Sequence, residues 1–157
     1  ANVGLGLINY HFGSKEKLIT ECVQCIIGKV VTKFQMTKQY KTDKERLTAC
    51  ATYVFDFLFE YSAISRVSIL GDFQNYNENS NSVLTQRGFL LSLKNSISNE
   101  DKSMFVFILT AAMQTAFLGS ETVKQLLGYD FTKTDDRAAY ISKLVNILFE
   151  GMVQINE

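Results

Sequence analysis

Asn9, Tyr10 and His11 stand in succession near the start of the chain, and Lys15 and Lys17 follow shortly after. A side-chain amide can both donate to and accept from the edge of a nucleic-acid base. A tyrosine hydroxyl, an imidazole, an ammonium and the N-terminus of a helix all serve as phosphate contacts. Cys22-x-x-Cys25 has the spacing of thiol or metal chemistry, but no second ligand pair accompanies it, and His11 and Cys50 do not complete a zinc pattern. Two readings of these cysteines stay open: buried thiols on a helix, or thiol sensing by Cys25. Gly4-x-Gly6 begins a dinucleotide loop but lacks its third glycine and its preceding strand. With a single histidine, no nucleophile–base pair and Asp135-Asp136 suited to a helix start, the sequence points to no catalytic residue, no metal and no cofactor, and to a protein that is not an enzyme.

The elements that must position these groups are helices. Gly4 to Phe12 forms a short helix-like segment, and Gly13 ends it. Ser14 opens a long helix on which Leu18, Cys22, Ile26, Val30 and Phe34 step by four beside Ile19, Val23, Ile27 and Val31, giving one wide apolar face. Thr42 and Glu45 have capping-box spacing for the next helix. Aromatics alternate from Tyr53 to Tyr61 in a strand-like way, yet Thr52, Asp56 and Glu60 step by four, which predicts a helix with one polar stripe. A short helix is expected over Ala63 to Phe73, a loop over the Asn-rich stretch Gly71 to Ser82, and a helix over Val83 to Ile97. Ser98 or Asn99 caps a long helix running to Leu127, with Gly128 as its left-handed terminus. Thr134 caps the last helix, Asp135 to about Ile155.

Composition agrees with this order. The 157 residues contain no proline, against about eight at average usage, which disfavours turn-rich all-β folds. Apolar residues make up 46% and charged residues 20%, excluding a disordered composition. Sixteen basic side chains balance sixteen acidic ones, but unevenly: residues 1–46 hold eight Lys or Arg against four Asp or Glu. A basic first third beside an acidic remainder suits an anionic partner at one end. Three cysteines and no leader-like opening point to a reducing, cytoplasmic setting. Ser103 to Ser120 is free of charge, and Thr110, Gln114, Thr115 and Gly119 within it favour a core helix, buried on both sides, over a membrane span.

The string Gly6-Leu7-Ile8-Asn9-Tyr10-His11-Phe12-Gly13-Ser14-Lys15-Glu16-Lys17-Leu18 closely resembles the TetR-type (tetracycline-repressor) family of transcription regulators. In that family the string is the recognition helix of a helix-turn-helix and the start of the next helix. The likeness covers residues 1–18. Gly4 stands where a polar cap is usual and Asn9 where an aromatic is common. The resemblance implies an all-α fold: a helix-turn-helix remnant over residues 1–18, then a helical effector-binding and dimerisation domain over residues 19–157. Two further helices would precede the string, so the DNA-binding domain is expected to begin upstream of Ala1. Leu5, Gly6 and Asn9 would face base edges, while Tyr10, His11 and Lys15 would hold the phosphate backbone.

The resemblance further implies a ligand-responsive repressor of a palindromic DNA operator, acting as a homodimer through its last two helices. Its effector would be small and apolar or aromatic, lying among the central helices, with Phe55, Phe59, Phe89, Phe105 and Met113 as candidate contacts. The competing expectation is a ligand-binding and dimerisation module without DNA binding in this chain.

Overall fold

The computed structural model describes Leu18, residues 21–25, Gly28, residues 40–93 and residues 99–153. These residues form an all-α fold. Leu18, Glu21–Cys25 and Gly28 are helical. The helices that follow are α1 (Asp43–Glu60), α2 (Ser62–Gln74), α3 (Asn81–Leu90), α4 (Asn99–Leu118), α5 (Ser120–Leu127) and α6 (Thr134–Val153).

α1 starts where its cap predicts. Thr42 Oγ1 accepts from the Glu45 N–H at 3.1 Å, and the Glu45 carboxylate reaches back to the Lys41 N–H at 3.0 Å, one residue before the usual position. The ambiguous stretch from Tyr53 lies within this helix. Leu47, Cys50, Ala51 and Phe55 form its buried stripe. The polar stripe opposite is used as well: Asp56 Oδ1 accepts from Arg137 Nε of α6 at 2.5 Å, and Arg137 also donates to the Phe131 carbonyl at 2.8 Å. Its guanidinium lies over the Phe59 ring. α1 and α6 share the most extensive contact in the fold.

Between them sits an aromatic core. Phe55 meets Phe59 and Phe131 edge-on at centroid separations of 5.2 and 5.1 Å, and Tyr140 closes on Phe131 at 5.1 Å. From α4, Phe105, Leu109, Met113 and Phe117 add to the same cluster.

Three boundaries differ from expectation. α2 continues to Gln74 and α3 begins at Asn81, so the Asn-rich loop is shorter than predicted. Asn77 organises it by accepting from the Asn79 N–H at 2.9 Å. α3 ends at Leu90, and residues 94–97 of its predicted extent lie outside the described residues. The long charge-free helix breaks at Gly119, where α5 turns by 102° from α4. A Cβ on Gly119 would lie 3.3 Å from the Thr115 carbonyl oxygen, tight for any larger residue. The predicted terminus at Gly128 is found: its φ is 79°, and its N–H donates to the Lys124 carbonyl.

α4 is buried on one side only. Phe105, Val106, Leu109, Thr110, Met113 and Gln114 face inward, whereas Met104, Phe107 and Ile108 are exposed, as is Ile147 of α6. Within the single chain, the helix expected to be buried on both sides leaves one apolar face bare. Among the described residues, no single helix is long and apolar enough to cross a membrane.

Candidate functional site

A half-open cleft of about 50 Å³ lies among α1, α2, α3 and α4. Each wall is one face of a helix. α1 contributes Val54, Phe57 and Leu58; α2 contributes Ser65, Ser68, Ile69 and Asp72, spaced three to four apart; α3 contributes Asn81, Ser82 and Thr85 from its first turns. Gln114 of α4 closes the polar end, and Val23 joins the wall from the helical residues ahead of α1. An apolar lining with a few convergent polar groups is the usual make-up of a small-molecule site.

The polar end is ordered by a chain of hydrogen bonds. Gln114 Nε2 donates to Ser82 Oγ at 2.6 Å, and Ser82 Oγ donates to Asp72 Oδ2. The Ser82 N–H donates to the same carboxylate oxygen at 2.7 Å. Asp72 thereby caps α3 from a neighbouring helix, which explains why α3 starts at residues of modest helix propensity although Ser80 makes no side-chain cap. Asn81 Nδ2 donates to Ser68 Oγ at 2.8 Å, and Thr85 turns its hydroxyl back onto the Asn81 carbonyl.

Two atoms are left over. Ser65 Oγ and Asn81 Oδ1 are buried and lack a hydrogen-bond partner, and both residues line the cleft. Their residues are only 2% and 5% exposed. A buried polar group left unpaired costs about 1–3 kcal/mol, so a ligand group that pairs with them gains that free energy.

The sequence-derived effector contacts are placed elsewhere. Phe55, Phe89, Phe105 and Met113 are fully buried in the core, and Phe59 packs edge-on against Phe55 and Phe117. None of the five lines the cleft. The residues that do line it carried a weaker signal: Ser65, Ser68 and Asp72 recur at helical spacing along α2, but a Ser-rich stripe reads equally well as a solvated face. Leu5, Gly6, Asn9, Tyr10, His11 and Lys15 lie outside the described residues.

The cysteines divide differently from expectation. Cys22 and Cys25 are exposed, although Cys22 falls on the predicted apolar row, and its neighbour Val23 is buried instead. Cys50 alone is buried. Burial pushes its thiol up to about 11, against the opposing pull of a hydrogen bond with Ser92. Among the described residues, no three His, Cys, Asp or Glu side chains are grouped to hold a metal ion.

No protein-family model, no curated protein and no solved structure matches the chain.

Proposed function

We propose that the protein is a ligand-responsive, DNA-binding transcription regulator, a repressor released from its operator when a small and mostly apolar molecule enters the cleft. One juxtaposition carries this reading. Leu18 closes the string that resembles a recognition helix and its successor, and Val23, five positions on, lines the cleft. A molecule seated there touches the segment that leads directly out of the DNA-reading residues. Its binding energy then acts on a two-state equilibrium, favouring the arrangement that fits DNA less well.

Dimerisation belongs to the same proposal. Met104, Phe107 and Ile108 on α4 and Ile147 on α6 are exposed apolar side chains on helices that touch each other. Two-fold pairing through them would cover this face, in the commonest closed symmetry. Phe107→Glu should convert a sedimenting dimer into a monomer.

DNA binding is tested with a protein that also carries the two helices the family places ahead of this string. Asn9→Ala should cost about 1–3 kcal/mol on the preferred operator and relax one base position. Lys15→Ala should weaken binding to cognate and scrambled DNA alike and lower the salt slope by about one per half-site. Equal, sequence-independent losses for both variants would remove Asn9 from base reading. Failure of that protein to retain any DNA would leave the ligand-binding and dimerisation module as the reading.

A further inference from the structure

The hydrogen bonds around the cleft are unequal in kind. Each nitrogen at the polar end has a partner: Gln114 Nε2 donates to Ser82, the Ser82 N–H to Asp72 and Asn81 Nδ2 to Ser68, while the Ser82 hydroxyl donates to Asp72. The buried atoms left without a partner are oxygens. Asn81 Oδ1 is buried without a donor. Among the described residues, Asp72 accepts its two hydrogen bonds on Oδ2 and none on Oδ1, and no ion pair includes this carboxylate. Ser65 Oγ, also unpaired, serves as acceptor or donor. Beside these oxygens the wall is Phe57, Leu58 and Ile69.

We infer that the ligand is an organic amine, with a protonated ammonium head held by Asp72 and Asn81 and an apolar or aromatic body against α1 and α2. This rests on the reading of the cleft as a ligand site and names the chemistry that site takes. An ammonium supplies three donors and no acceptor, which complements the unpaired oxygen of Asn81 and the negative charge of Asp72. A carboxylate head would bring more acceptors and repulsion from Asp72. An alcohol brings one donor and no charge. The expected preference refines an effector described only as apolar: the body is apolar, and the head carries positive charge.

The test titrates the whole chain at neutral pH with phenethylamine, 2-phenylethanol and 3-phenylpropionate, following amide resonances of the cleft residues. Phenethylamine should bind about tenfold or more tighter than the alcohol, with the carboxylate weakest, because hydrogen bonds to a charged partner are the stronger ones. Asp72→Asn keeps an acceptor for the Ser82 N–H and should bring amine and alcohol within about twofold. If the alcohol or the carboxylate binds as well as the amine, the head-group inference is overturned and the ligand site stands. If the variant weakens all three equally, Asp72 acts through the shape of the cleft and the inference is likewise overturned. Should the variant not fold by circular dichroism, the ranking on the unaltered chain decides. Absence of binding by all three up to millimolar concentration overturns the ligand site and the inference together.

Discussion

The two sides of α1 solve the packing problem in opposite ways. Toward α6, Phe55, Phe59, Phe131 and Tyr140 interlock edge-on, and the ion pair of Asp56 with Arg137 is fixed by a further bond to a backbone carbonyl. Toward α2 and α3, serines, asparagine, glutamine and aspartate meet beside an apolar wall, two hydrogen bonds end on one carboxylate oxygen, and among the described residues two buried polar atoms stay unpaired. The first side is filled by interlocking rings. The second has both room and unmet bonding capacity. Aromatic content therefore marks where the fold is held, and incompletely paired polar groups mark where a molecule can enter.

The strongest challenge to this contrast is to empty the packed side. Phe55→Ala removes a ring with no exposure from the centre of the cluster and should cost about 3–5 kcal/mol in urea unfolding. A loss below about 1 kcal/mol would mean that the aromatic side is loosely filled and that the contrast fails.

Cys50, also in the core cluster, tests the same side through alkaline pH. Its thiol titrates near 11 in the fold, against an ordinary value of 9.0. Above pH 9 the unfolded chain sheds a proton that the native chain keeps. The contribution is therefore complete below pH 9 and is lost as pH rises toward 11, by about 2–3 kcal/mol in all. Chemical denaturation at pH 8 and pH 11 should show this loss, and Cys50→Ala should lack that portion of it. At pH 8 a maleimide should label the exposed Cys22 and Cys25 well before Cys50.

On the cleft side the effects are smaller. Asp72→Ala removes the cap of α3 and should cost about 1–2 kcal/mol, seen as faster amide exchange in the first turn of α3. Ser65→Ala removes an unpaired hydroxyl and should be neutral or stabilising by up to about 1 kcal/mol. A clear destabilisation by Ser65→Ala, read from the melting temperature, would show that its hydroxyl is paired after all and would narrow the difference between the two sides.

Local signals made much of the fold legible. The Thr42 cap, the four-residue stepping of Thr52, Asp56 and Glu60, and Gly128 at a helix end each act within one turn of chain, and each has its counterpart in the structure. The features that escaped are made by distant segments. Asp72 caps α3 from another helix, so no local pattern announces the start at Asn81. A lone glycine costs a helix only about 1 kcal/mol, so Gly119 gave no clear notice of a break that turns the chain by 102°. The cleft was hidden for the same reason: its polar residues come from three helices, and only their meeting leaves Asn81 Oδ1 unpaired.

The chain from Gln114 through Ser82 to Asp72 has a direction. A serine hydroxyl carries one proton. Ser82 gives its proton to Asp72, so its oxygen receives from Gln114, and the Gln114 side chain must turn its nitrogen, not its oxygen, toward Ser82. The carboxylate on α2 thus fixes the orientation of an amide on α4. In a sample labelled with nitrogen-15 at glutamine side chains, the paired Gln114 resonances become a gauge of events at Asp72, read from the far end of the relay.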